Sequence, residues 1–210
     1  MSTQDTGATD TVQKREAILE QAIATFAEEG FRHADVQVIA DKAGVGKGTV
    51  YRHFGNKEDL FWASTFAVLT RLERHIIRAE EEAEGSLEKL RAAGRAYAEF
   101  FQANPQYLEI FVQERAQFRG AAPPSHVERH EKLIERFGKI VEQGIAAGEF
   151  HPADVRKTII ALGSVLYGSV VNACYVGFGE SLTESAQFAV DIFLEGIRAD
   201  RPASQQGTKT

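Results

Sequence analysis

The stretch from Gly44 to Leu60, Gly-Val-Gly-Lys-Gly-Thr-Val-Tyr-Arg-His-Phe-Gly-Asn-Lys-Glu-Asp-Leu, constrains this chain more than any other. Just before it, Val36, Ile39, Ala40 and Ala43 recur at the spacing of one face of a short helix. Gly44 ends that helix, because helices often close on a left-handed residue and glycine takes that conformation without a Cβ penalty. Gly44-Val45-Gly46 then turns the chain into a second short helix over about 47–53, with Val50 facing inward and Phe54 closing its end. Lys47, Gly48, Thr49, Tyr51, Arg52 and His53 are left for the outside. Two short helices joined by a glycine turn form a helix-turn-helix, whose second helix enters the DNA major groove. Cations, hydroxyls and an imidazole beside a close-approach glycine are the groups that phosphates and base edges require. Asn56 is placed to cap the next helix, Asp59 can bond back to it, and Lys57 stands at that helix's N-terminus on the same side.

The same residues admit a rival reading. Gly44-Val45-Gly46-Lys47-Gly48-Thr49 resembles the end of a nucleotide-binding phosphate loop, with Val36 to Ala40 as a strand feeding it. That loop requires G-x-x-x-x-G-K-[ST], and Asp41 occupies the place of the first glycine, where its carboxylate would face the phosphates. No alternation of strands and helices follows. A phosphate-loop kinase is therefore the alternative from the enzyme class, and a helical interaction protein without DNA binding is a third. The preferred reading has no catalytic residue and no cofactor.

The net charge of −6 is unusual for a nucleic-acid binder, which is commonly basic. Residues 42–57 nevertheless hold Lys42, Lys47, Arg52 and Lys57 and no acid, so the positive footprint is confined to the surface meant for DNA. Much of the acidity lies at Glu80, Glu81, Glu82 and Glu84. The single cysteine excludes an intramolecular disulfide and fits a reducing cytosol, so a cytoplasmic location is expected. Residues 1–10 are polar, without the apolar run of a signal peptide, and are expected to be a disordered tail, as are residues 200–210.

Every other segment has helical periodicity. Ile18, Leu19, Ala22, Ile23, Phe26 and Ala27 mark an amphipathic helix from about Thr11 to Glu29 that Gly30 stops. Asn56 to about Glu84 carries no Pro or Gly and predicts a helix of roughly 43 Å at 1.5 Å per residue, apolar nearly all round over its first half. Gly85-Ser86 breaks the chain, with Ser86 capping a helix to about Asn104; Pro105 restarts it to about Phe118. After a loop over Gly120 to Pro124, a capping box at Ser125 and Glu128 opens a helix to about Gly148. Pro152 to about Val176 is the most apolar segment, and residues 158–179 carry no charge. By length it is a membrane-span candidate, but Thr158, Ser164, Ser169, Asn172 and interspersed glycines dilute it, so it is read as a buried helix. Ser181 with Glu184 opens a last helix to about Ile197. The expected fold is all-α, with about nine helices: a helix-turn-helix head over 11–57 and a helical regulatory and dimerisation body over 58–199.

From Ile18 to Leu60 the chain resembles the DNA-binding signature of the TetR family of bacterial transcriptional regulators, through Gly30-Phe31, Ile39-Ala40, Ala43-Gly44-Val45, Thr49-Val50-Tyr51-Arg52-His53-Phe54 and Asn56-Lys57-Glu58. Two positions depart from it. Asp35 stands where Ser or Thr usually caps the second helix, adding a negative charge near phosphate, and Gly46 stands where Ser or Thr usually opens the recognition helix. The resemblance implies a homodimeric, ligand-responsive regulator that binds an inverted-repeat double-stranded operator and is released by a small effector. It places Lys47, Thr49, Tyr51, His53 and Lys57 against phosphates or groove edges, with Gln37, Gly48 and Arg52 as further DNA contacts.

The last two long helices are expected to pair with those of a second subunit. Gly163, Ser164 and Gly168 would permit close approach, and Phe188, Ile192 and Phe193 would supply the apolar face. An apolar or aromatic effector would be enclosed by some of Tyr97, Phe101, Tyr107, Phe111, Phe137, Tyr167, Asn172 and Cys174, although aromatics at helical spacing are core more often than pocket. His126 and His130 stand four apart, but no third ligand is near in sequence, so they are read as an exposed pair and not as a metal site.

Overall fold

The computed structural model describes residues 4–118, 122–151, 153–176 and 181–199. Among them the chain forms α1 (Gln4–His33), α2 (Val36–Lys42), α3 (Lys47–Phe54), α4 (Lys57–Glu81), α5 (Ser86–Ala103), α6 (Pro105–Phe118), α7 (Pro124–Ala146), α8 (Val155–Val176) and α9 (Leu182–Ile197). The all-α expectation holds, and the only non-helical pairing described is an isolated bridge between Phe150 and Arg198. α2 is a helix and no described strand leads into Gly44, which removes the structural context a phosphate loop needs. Among the described residues no helix is long and apolar enough to cross a membrane.

Two compact units make up the chain: Met1–Arg74 with Phe100–Glu128, and His75–Glu99 with Arg129–Thr210. The first takes in α6 as well as the head. In it Ile18, Ala22, Ile23 and Phe26 of α1, Ile39 and Ala40 of α2, and Val50 of α3 are fully enclosed. Phe26 meets Phe61 of α4 edge to face at 5.2 Å, and α1 also packs against α6. Gly30 breaks α1 at φ 78°, ψ 156°, as its sequence position suggests, and one more turn follows before Ala34. At the other end α1 begins at Gln4, so residues 4–10 are helical where a disordered tail was expected. Residues 1–3 and 200–210 lie outside the described residues.

In the second unit α8 packs along α9. Gly94 of α5 permits this layer to close: a Cβ there would stand 3.0 Å from Val190 of α9. The Ser181 capping box forms as expected, with the Glu184 N–H donating to the Ser181 hydroxyl at 3.1 Å. Three helix starts differ from the sequence reading. α5 is opened by Gly85, whose carbonyl accepts the Lys89 N–H, while the Glu149 carboxylate accepts the Leu87 N–H at 3.1 Å; Ser86 is inside the helix and buried. α7 starts at Pro124 with the Pro123 carbonyl accepting from His126, so the cap position lies two residues ahead of the expected Ser125. α8 starts at Val155 because Asp154 accepts the Lys157 N–H at 3.1 Å; Pro152, the expected start, lies outside the described residues.

α4 spans 25 residues, about 37 Å. Leu60, Phe61, Trp62 and Val68 are buried as its apolar first half requires, but Phe66 is exposed. Its C-terminal end is tied within the second unit by Glu80. This buried carboxylate accepts from Lys89 Nζ at 2.7 Å and from Arg136 Nε at 3.1 Å, and Arg136 also reaches Glu81 at 2.9 Å.

Candidate nucleic-acid interface

The turn between α2 and α3 follows directly from its glycine. Gly44 takes φ 68°, its N–H donates to the Asp41 carbonyl at 3.1 Å, and the Val45 N–H donates to the Ala40 carbonyl at 3.0 Å. This pair of bonds is the Schellman closure, which satisfies the last carbonyls of α2 and reverses the chain within three residues. At the other end of α2 the Asp35 carboxylate caps the helix by accepting the Gln37 N–H at 2.8 Å. α3 opens on Gly46, which supplies no side-chain cap, so its first turn relies on the Thr49 N–H donating to the Gly46 carbonyl at 2.8 Å.

α3 buries Val50 and Phe54 and nothing else. Gly48, Tyr51 and Arg52 are exposed, whereas Lys47, Thr49 and His53 are half-buried at the flanks. Tyr51 keeps 40% of its surface, which puts its ring on the outside and not under the head. His53 lies beside Phe54 with ring centroids 6.2 Å apart. Gly55, at φ 86°, turns the chain out of α3 where a Cβ would meet the Asp59 carboxylate at 2.7 Å. Asn56 then caps α4, accepting the Asp59 N–H at 2.8 Å, while its own N–H goes to the Phe54 carbonyl and not to Asp59. The Arg15 guanidinium of α1 backs the Phe54 ring at 5.1 Å.

Three of the expected DNA contacts have partners within the protein. Lys47 Nζ stands 3.5 Å from Asp35, so the acid that departs from the family pattern is paired with the first residue of α3. The bond from Gln37 and the nearby Lys47 ammonium hold the Asp35 carboxyl below its ordinary range. Gln37 is exposed and donates to Asp41 at 2.8 Å. Lys57 donates to the Arg32 carbonyl at 3.1 Å and lies 5.2 Å from the centre of the Phe31 ring. Neither the Asp35–Lys47 pair nor the seat of Lys57 is visible in local sequence, since each joins residues on different elements.

The expected effector residues divide between the two units. Phe101 is core, against Phe100 and Phe111 at 5.3 and 5.7 Å, and Tyr107 accepts a hydrogen bond from Arg71 at 2.8 Å. That Arg71 also pairs with Glu20 of α1. In the second unit Phe137 is buried, Tyr97 and Tyr167 are half-buried, and Asn172 is exposed and so belongs to the surface of α8; the Cys174 side chain lies outside what is described. A cleft of about 310 Å³ in the first unit is lined instead by Arg15, Trp62, Phe66, Ser125 and His126 among others. His126 corrects the exposed histidine pair: it is buried against Trp62 and Phe66 at 5.1 and 5.5 Å, whereas His130 faces solvent.

On α8 and α9 the expected interface residues lie mainly outward. Gly163 and Ser164 are exposed, Gly168 is half-buried, and Ile160 and Asn172 continue the same stripe at helical spacing. On α9 Phe188 and Ile192 keep 69% and 60% of their surface, while Phe193 is half-buried.

Comparison with known proteins gives two family matches: bacterial regulatory proteins of the tetR family over residues 18–63, and the tetracyclin repressor-like C-terminal domain over residues 83–171. The chain is 30% identical over 155 residues to the uncharacterized HTH-type transcriptional regulator YhgD of Bacillus subtilis, covering 72% of this chain and 79% of that protein. It is 29% identical over 140 residues to the HTH-type transcriptional repressor KstR2 of Mycobacterium tuberculosis, covering 66% and 70%. The solved structure of KstR2, described as a ketosteroid transcriptional regulator, matches with TM-score 0.69 over 89% of this chain and 95% of that one at 27% identity. FadR of Bacillus subtilis, solved in complex with stearoyl-CoA, matches in fold with TM-score 0.77 over 88% and 100% at 22% identity.

Proposed function

The chain belongs to the TetR family of bacterial transcriptional regulators, and from that premise we propose that it is a repressor that binds an inverted-repeat operator as a homodimer and leaves it on binding a small apolar or aromatic effector. The observation behind the DNA-binding part is the surface of α3: Val50 and Phe54 are turned in, Gly48, Tyr51 and Arg52 are turned out, and residues 42–57 contain no acid. Lys47 and Gly48 lead the helix, where base contact is most accessible, and Lys57 adds a phosphate contact from the start of α4. The name of KstR2 supports repression. Dimerisation through α8 and α9 rests on Phe188 and Ile192, two large apolar residues exposed on one face of a single chain.

The switch follows from connectivity. α4 begins directly after the turn at Gly55 that ends α3, so displacement of α4 moves the recognition helix with it. Two such helices on a two-fold axis must span half-sites about one helical turn apart, roughly 34–36 Å. An effector favouring a conformer of different spacing lowers operator affinity by its differential affinity for the two states.

Sequencing genomic fragments retained by the purified protein, followed by titration of the recovered duplex, tests this reading. An inverted repeat should emerge, and Lys47→Ala and Tyr51→Ala should each lower affinity roughly tenfold or more, as lost groove and phosphate contacts do. Retention of random fragments, with both variants binding like the parent protein, would overturn it.

A further inference from the structure

Gln113 of α6 makes two hydrogen bonds to the backbone of α1, one on either side of the Gly30 break. Its Nε2 donates to the Phe26 carbonyl at 2.8 Å, and its Oε1 accepts the Phe31 N–H at 2.9 Å. A helix interrupted at one residue leaves neighbouring N–H and C=O groups without their regular partners, and such groups need substitutes when removed from water. An amide side chain offers a donor and an acceptor side by side, so a glutamine at this position splints both sides of the break at once.

The residues held by this splint carry the seat of Lys57. The Phe31 ring packs edge to face on Phe61 at 5.2 Å, and the Lys57 ammonium lies 5.2 Å from its centre. Lys57 also donates to the carbonyl of Arg32, the next residue along. One of the three ammonium donors is thereby fixed, leaving the others for a phosphate. A change of one or two ångströms at the break would move both the ring and the carbonyl that aim Lys57.

We infer that Gln113 is a positioning residue for DNA binding: it sets the Gly30 break in α1 and through Phe31 and Arg32 orients Lys57. This rests on the reading of Lys57 as a phosphate contact. Gln113 itself touches no DNA; it acts on a contact made elsewhere in the same unit.

The test uses the full chain and the duplex that the unaltered protein enriches from a random-sequence pool, titrated by fluorescence anisotropy at several salt concentrations. Gln113→Ala should weaken binding about three- to tenfold and flatten the dependence of log K on log salt as much as Lys57→Ala does, by about one phosphate per head. The double variant should match Lys57→Ala alone, because an aim without its lysine is worthless. Gln113→Glu keeps the acceptor for Phe31 but loses the donor to Phe26, and gives the same direction if the alanine variant does not fold. A merely structural role would lower the melting temperature and leave the salt slope of the parent protein. That slope, or effects that add in the double variant, overturns the inference. If the parent protein binds DNA and Lys57→Ala binds equally well, the inference alone falls; if the parent enriches no duplex, the proposed function falls with it.

Discussion

Asp35 shows how much one side chain can hold back. It caps α2 through the Gln37 N–H and stands 3.5 Å from Lys47, the first residue of α3. A phosphate must therefore compete with this carboxylate for the ammonium. Asp35→Asn keeps a capping oxygen of equal quality and removes the competing charge. Operator affinity should rise about two- to fivefold at low salt and converge with that of the parent protein at high salt, because the pair is exposed and easily screened. Unchanged binding in a low-salt titration would show that Asp35 does not compete with phosphate, and weaker binding that it aids recognition. The cap and the unfavourable charge are both legible in the sequence, whereas the partnership with Lys47 is not, since it needs α2 and α3 packed together. His126 makes the same point: its spacing from His130 indicates a shared face, yet burial against Trp62 and Phe66 separates their environments.

Elements whose ends rest on neighbouring residues are the ones a sequence states well. Gly44 closing α2, Pro105 opening α6 and the Ser181 box opening α9 all depend on chemistry within one turn. α5 does not, because the distant Glu149 takes the Leu87 N–H at its start, and Ser86, the expected cap, lies inside the helix and is buried. The end of α4 depends on distant partners too. Burial pushes the Glu80 carboxyl up, but hydrogen bonds from Lys89 and Arg136 outweigh that and hold it below the ordinary glutamate range. A lowered value in the folded state means stability that is present above the unfolded value, about 4.3, and is lost as pH falls through the folded value. Glu80→Gln should cost about 1–2 kcal/mol near neutrality, a figure discounted because Lys89 and Arg136 are partly in solvent. In thermal melts the gap between the variant and the parent protein should narrow as pH falls below the unfolded value and vanish below the folded one. A gap that persists undiminished to lower pH would mean that Glu80 contributes shape and not charge.

For the whole molecule the exposed face of α8 and α9 is the feature with most consequence. Phe188→Glu with Ile192→Glu should give a folded monomer in sedimentation velocity and abolish tight operator binding, since each monomer reaches one half-site only. A variant that remains dimeric would place the interface elsewhere. The sequence by itself determined the helices, the glycine-closed turn and the outward surface of α3, because these arise from periodicity and from contacts within a turn of chain. Periodicity states that a face is covered but not by what. Packing alone decided that Gln113 splints the Gly30 break, that Lys47 meets Asp35, that Phe101 and Phe137 are core, and that Asn172 lies outside. Each of those outcomes joins or separates residues far apart in the chain, and only the mutual placement of helices fixes them.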